Sequence, residues 1–282
     1  MASLVEIYNA LRYSRVTFRT LRPQLTAHNN IYVGSNAVVI RCTLTDDDRA
    51  VALKCYANRR RNARSIYGDS YLAKELLIHT LTGMEYIDVT VLDWVEGHAL
   101  DSLLRAPNTD YRALSKSFDR LALDTLQHSH AHGDVKPENV VVTPSGVMRL
   151  IDHDAAWLPG FGDHDAEEIG TPTYSHPQRD KRHFDKHIDD FSLALLSTML
   201  AALAIKRDYF APHLMPDGSL FVPRSVVDGS DELFNKALSF FERRDPAHYA
   251  IARTLYGSSG AIDGLAGMFE QALAQHTQTR RR

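Results

Sequence analysis

The chain has 282 residues, with 32 Lys+Arg against 35 Asp+Glu for a formal charge of −3; 44% of its residues are hydrophobic and 24% charged. That balance excludes a mostly disordered chain, and without a basic excess to hold phosphates it argues against a general nucleic-acid binder. Two cysteines, Cys42 and Cys55, are too few for a disulfide scaffold; both lie in apolar, strand-like runs and read as buried, reduced thiols, consistent with a reducing compartment.

The first residues, MASLVEIYNALRYSR, lack the basic-then-apolar order of a secretory signal. Short runs rich in Val, Ile and Tyr at 31–33, 37–44 and 51–56 predict an antiparallel meander, punctuated by Gly34-Ser35-Asn36 and by TDDDR at 45–49. NRRRNAR at 58–64 reads as a basic, solvated loop. Leu72, Leu76 and Leu81, with Lys74, Glu75 and His79 between them, predict a helix over 71–81. A strand is expected at 89–95 and a helix at 115–131. Strands at 140–143 and 148–151 follow, joined by a Pro144-Ser145-Gly146 turn. From Asp189 onward nearly everything reads as helix, except 212–223 around Pro216-Asp217-Gly218. The apolar stretch 193–205 is too short for a bilayer, which needs roughly 20 residues, so no membrane span and a cytoplasmic address are expected. The stripe in 233–241 is core packing at helical spacing. The composition shifts near Glu96-Gly97, from a small β-rich part to a larger helical one.

The segment that carries chemistry is His132-Gly133-Asp134-Val135-Lys136-Pro137-Glu138-Asn139, followed by a strand, a turn and Leu150-Ile151-Asp152. An aspartate at the mouth of a loop can accept a hydroxyl proton, and a lysine two residues on can neutralise a transferring phosphoryl group. Asn139 and Asp152 can offer oxygens to Mg²⁺. Phosphoryl transfer is accelerated mostly by such positioning and charge neutralisation.

These residues resemble the protein-kinase family, and the resemblance covers most of the chain. The catalytic-loop pattern H-R-D-x-x-x-x-N is matched by His132, Gly133, Asp134 and Asn139, with glycine in place of arginine. Asp152-His153-Asp154 stands where D-F-G belongs, and Val51-Ala52-Leu53-Lys54 matches V-A-I-K. Gly170-Thr171-Pro172-Thr173-Tyr174-Ser175-His176-Pro177-Gln178 is similar to the end of an activation segment, with Gln178 in place of its final glutamate. Asp189-Asp190-Phe191 resembles the buried helix start that follows, and 92–97 resembles the hinge.

The resemblance implies an α+β, bilobal fold: an N-lobe over 1–92, a hinge at 93–97 and a helical C-lobe over 98–282. It implies ATP and Mg²⁺ as cofactors. Asp134, Lys136, Lys54, Glu75 and Thr171 would be catalytic, with Glu75 on its helix pairing with Lys54. Gly34, Ala52, Lys54, Leu92, Asp93, Val95 and Val141 would bind the nucleotide, and Asn139 and Asp152 the metal. Lys136 and Thr171 resemble the Ser/Thr branch, so a protein hydroxyl is the expected substrate, with neither nucleic acid nor membrane as partner.

The departures keep two other readings open. The 34–39 segment, GSNAVV, holds one glycine where the family has three; with His153 and Gln178 it favours a catalytically silent scaffold. Gly133 echoes the H-G-D loop of aminoglycoside and choline phosphotransferases, which lack the G-T-P-x-Y segment. Gly133 also removes the arginine that would meet an activation-loop phosphate. His128, His130 and His132 alternate, but their spacing does not put all three on one helix face, so they are not read as a metal site. Arg280–Arg282 reads as a solvated tail.

Overall fold

The computed structural model describes residues 3–24, 31–34, 36–44, 49–161 and 165–279. Ser35, most of the TDDDR turn and Arg280–Arg282 lie outside them. The chain divides into two compact units, Met1–Val95 and Glu96–Arg282. The first is rich in sheet and the second helical, giving the expected α+β class.

The first unit opens with helix α1 (Leu4–Arg12), which begins with a reciprocal cap: Glu6 N–H donates to Ser3 Oγ at 3.2 Å and Ser3 N–H to Glu6 Oε2 at 2.6 Å. The short α2 (Ser14–Thr17) follows. Strands β1 (Pro23–Gln24), β2 (Ile31–Val33), β3 (Ala37–Leu44), β4 (Ala50–Tyr56), β5 (Tyr71–Thr80) and β6 (Gly83–Asp93) form one antiparallel sheet in the order β1-β3-β4-β6-β5, with β2 also on β3. Helix α3 (Ala63–Tyr67) links β4 to β5. Ile7 and Leu11 of α1 pack with Leu53, Cys55, Leu76, Ile78 and Val89 in one apolar cluster, which removes their surface from water. Cys42 and Cys55 are buried, unbridged thiols in that core.

The helix expected over 71–81 is a strand. Opposite β6, Leu72 pairs with Val89 and Leu76 with Ile87, so three residues of β5 stand against one, Asp88, of its partner. Residues i and i+4 share a face in a strand as they do in a helix, so Leu72 and Leu76, on either side of this bulge, imitate a helical stripe. Leu81, the third apolar residue of the apparent stripe, is fully exposed beside the β5–β6 turn.

In the second unit β7 (His98–Ala99) leads into α4 (Leu100–Leu104) and α5 (Tyr111–Gln127). Helix α5 starts four residues before its expected position because the Asp110 carboxylate accepts from the N–H groups of Arg112 and Ala113, each at 3.1 Å. Strands β8 (Val140–Val142) and β9 (Met148–Leu150) form the expected hairpin and join β7 in a three-stranded sheet. Helices α6 (Asp190–Ile205), α7 (Arg207–Phe210), α8 (Pro223–Asp228), α9 (Glu232–Arg244), α10 (Pro246–Arg253) and α11 (Leu265–Thr279) complete the unit. The apolar run at 193–205 belongs to α6, which is buried almost all round at the centre of the unit. Phe234, Ala237, Leu238 and Phe241 of α9 are buried at helical spacing. Among the described residues no helix is long and apolar enough to cross a membrane.

Candidate active site

The loop between α5 and β8 is held from behind by one carboxylate. Asp189, 2% exposed, accepts from the backbone N–H groups of His132 at 2.5 Å and Gly133 at 2.8 Å. A buried carboxylate that fills its oxygens with backbone donors fixes those donors in return. His132 is locked on its other side: its Nε2 lies 2.8 Å from the Ile151 carbonyl, and its Nδ1 accepts from Asp134 N–H at 3.3 Å. Nε2 therefore carries the proton.

Gly133 has φ +83°, and a Cβ there would meet the Ala155 carbonyl oxygen at 2.0 Å. The loop passes so close to the backbone after β9 that only glycine fits. An arginine at this position would meet the same backbone. Nearby, Ala131 and Trp157 exchange two backbone hydrogen bonds of 3.0 Å each.

The loop presents a polar cluster. Lys136 Nζ lies 3.0 Å from Asp134 Oδ2 and donates to Thr171 Oγ1 at 2.9 Å. Asn139 Nδ2 donates to the Asp134 carbonyl at 2.8 Å and to its Oδ2 at 3.1 Å, so its amide oxygen is not used in these bonds. Asp134 Oδ1 is buried and has no hydrogen-bond partner among the described residues. One oxygen of Asp134 is thus held and the other left over, which is the state of a carboxylate awaiting a donor.

Asp152 follows β9 with φ +65°, a left-handed conformation unusual for a non-glycine residue. His153, next to it, meets the His132 ring edge-on at 4.7 Å between centroids. Burial, and then the neighbouring His132, push its pKa down to about 4, so it is a neutral filler. Ala131, Ala166, Phe184 and Ile188 form a small apolar cluster with Trp157 and Phe161 packed on it. This cluster anchors the segment that leads to Thr171.

In the first unit Lys54 is 5% exposed on β4, opposite Val39 on one side and Thr90 on the other. Ala52 and Leu92 are direct cross-strand partners, and Asp93 pairs with Arg49 at 2.6 Å. Gly34 N–H donates to the Ala37 carbonyl at 2.9 Å at the turn into β3.

The expected pairing of Glu75 with Lys54 is revised. Glu75 lies in the β5 bulge, 1% exposed, and its carboxylate accepts from Thr20 N–H at 2.6 Å, Leu21 N–H at 2.7 Å and Thr20 Oγ1 at 2.9 Å. Three donors from the segment after α2 fill a carboxylate that the helical reading had turned toward the lysine. Helix α3, the one that does follow β4, carries no carboxylate.

Two residues escaped the sequence reading as parts of the site. Asp189 was legible only as a helix start. Arg179 packs against Gly170, whose added Cβ would meet Arg179 Nη1 at 3.1 Å; its Nε and Nη2 are buried without hydrogen-bond partners among the described residues. Its position directly after Gln178 was the one available signal.

No family model matches the chain. Over 162 residues it is 29% identical to the cyclin-dependent kinase-like 2 proteins of Rattus norvegicus, Mus musculus and Homo sapiens. The matched region is 51% of this chain but only 31% of the rat protein, 28% of the mouse protein and 32% of the human one. The chain thus corresponds to about a third of the length of these relatives.

Proposed function

Because the chain is homologous to protein kinases over 51% of its length, we propose that it is an ATP-dependent phosphotransferase that acts on a serine or threonine hydroxyl of a protein. The observation that carries the reading is the pair of unequal oxygens on Asp134: Oδ2 held by Lys136 and Asn139, Oδ1 buried without a partner. A substrate hydroxyl is the donor that Oδ1 lacks. Asp134 orients that hydroxyl and takes its proton, while the Lys136 ammonium offsets charge on the phosphoryl group. The Lys136–Thr171 bond supports a protein substrate, since it ties the expected docking segment to the catalytic loop.

Asn139 and Asp152 supply hard oxygens suited to Mg²⁺, which when bound neutralises phosphate charge. Lys54, Gly34, Ala52, Leu92, Asp93, Val95 and Val141 keep the nucleotide roles that the resemblance assigns them, in a cytoplasmic enzyme. Glu75 is withdrawn from the catalytic set. Its engagement with Thr20 and Leu21, and the lack of an acid on α3, favour the second reading, a silent kinase-like scaffold.

Incubation with labelled ATP, Mg²⁺ and generic protein substrates tests the proposal. Label in protein, lost in Asp134→Asn, is the expected result. Label only in small molecules would move the chain to the small-molecule kinases, and no label anywhere would leave the scaffold.

A further inference from the structure

Three helices of the second unit bring Asp119 (α5), His248 (α10) and His276 (α11) together. One ligating atom from each lies within 4.8 Å of the other two. Asp119 Oδ2 is the shared point, 3.1 Å from His248 Nε2 and 3.0 Å from His276 Nε2. Asp119 is fully buried, the His248 side chain is 1% exposed and that of His276 23%.

The surrounding bonds are arranged as outer support. Ser197 Oγ donates to Asp119 Oδ1 at 2.7 Å and so occupies the oxygen that faces away from the imidazoles. His248 Nδ1 lies 2.8 Å from Asp245 Oδ2, and Gln275 Nε2 donates to Asp245 Oδ1 at 3.0 Å. His248 therefore has a carboxylate at each ring nitrogen. A neutral imidazole donates from only one nitrogen, so the other must carry a second proton or give its lone pair to a cation. A carboxylate behind one nitrogen of a histidine whose other nitrogen binds metal is the usual outer-sphere arrangement.

We propose that Asp119, His248 and His276 form a binding site for a divalent transition-metal ion of the zinc class, which fastens the C-terminal helix α11 to α5 and α10. Two imidazoles and one carboxylate suit such an ion. Tetrahedral zinc with bonds of about 2.0–2.1 Å separates its ligand atoms by about 3.3 Å, so the present oxygen–nitrogen spacings need to open by only a few tenths of an ångström. The fourth position falls to water, and His276, at the partly exposed rim, marks the way in. Two buried or half-buried carboxylates balance the charge of one divalent ion. The proposal is independent of phosphotransfer.

The test uses the full chain stripped with chelator and titrated with Co²⁺ alone, followed by visible spectroscopy, and with Zn²⁺ by calorimetry. One ion per chain, the absorption of tetrahedral cobalt and a rise in melting temperature are expected. His276→Gln, at the rim of the core, should abolish the spectrum. Asp245→Asn, which removes only outer support, should weaken binding by about 10–100-fold. Absence of the cobalt spectrum in the wild-type chain, or its persistence in His276→Gln, would overturn the proposal and leave a protonated histidine–carboxylate network.

Discussion

The Lys136 ammonium sits between two acceptors from different parts of the second unit, Asp134 Oδ2 at 3.0 Å and Thr171 Oγ1 at 2.9 Å. Both the lysine and the aspartate are partly shielded, with side chains 24% and 18% exposed. A half-shielded charge-assisted contact is stronger than one at the open surface, so Thr171 joins the segment at 170–178 to the loop at 132–139. Thr171→Ala should cut transfer to a protein substrate by about 10²-fold and change ATP affinity little. Steady-state kinetics with a protein acceptor and a nucleotide-binding titration on the same variant measure both. An unaffected rate would remove Thr171 from the site and favour a small-molecule acceptor.

Gly133 has no room for an arginine. Its φ is +83°, and the Ala155 carbonyl oxygen lies 2.0 Å from where a Cβ would stand, so there is no room for any side chain and the obstruction is backbone. Gly133→Ala should destabilise the fold by about 3 kcal/mol or more, and Gly133→Arg should yield little folded protein. Denaturant melts compare the variants. A Gly133→Arg protein as stable as wild type would mean the loop is not held against Ala155.

Glu75 and Lys54 should part company on mutation. Glu75→Gln disturbs a carboxylate bound to two backbone N–H groups and one hydroxyl, and each donor left unsatisfied costs about 1–3 kcal/mol. The variant should therefore melt earlier. At a temperature where it stays folded, its phosphotransfer should remain within a few-fold of wild type, while Lys54→Met loses orders of magnitude. Equal loss in the two variants would restore Glu75 as the partner of Lys54.

Strands β2, β3 and β4, the β8–β9 hairpin and the apolar face of α9 were legible because alternation, turn residues and helical spacing each acted alone there. At Leu72–Leu76 two signals collided, since residues i and i+4 share a face in a strand as well as in a helix. The contacts among Asp134, Lys136, Asn139 and Thr171 were legible as a cluster because the motif that suggested them restricts residue types at fixed offsets. Glu75 was not, because its partners Thr20 and Leu21 lie more than fifty residues away and carry no motif. The Asp119–His248–His276 cluster was invisible for the same reason: its aspartate lies more than a hundred residues before its histidines, and the three groups form no motif.

His176 gives a pH dependence with a definite sign. Its Nε2 lies 2.9 Å from the Ser258 carbonyl and its Nδ1 accepts from Gln178 N–H at 3.2 Å, so the neutral ring satisfies both neighbours. Burial holds its pKa below the ordinary imidazole value. The unfolded chain then takes up the proton first as pH falls, so the stability His176 contributes is full above about pH 6.5 and is lost below it. The gap in unfolding free energy between wild type and His176→Gln should narrow from about pH 8 to about pH 5. A constant gap would show that the ring titrates alike in both states.

Asp152 allows the metal role to be separated from the fold. At φ +65° it occupies a backbone region that costs an ordinary residue about 1–3 kcal/mol and glycine nothing. Asp152→Gly therefore removes the carboxylate without straining the chain, and should melt at or above the wild-type temperature unless lost side-chain contacts offset the relief. If Asp152 is the main Mg²⁺ ligand, the thermal shift produced by ATP with Mg²⁺ should fall to that produced by ATP alone. His153→Phe is the internal control: His153 is a neutral ring against His132, and replacing it leaves both oxygen ligands in place, so the Mg²⁺-dependent shift should survive. Thermal-shift titrations with ATP, with and without Mg²⁺, on the two variants decide the matter. Should Asp152→Gly retain the full Mg²⁺-dependent shift, the metal role is misassigned and the silent scaffold becomes the better account of the chain.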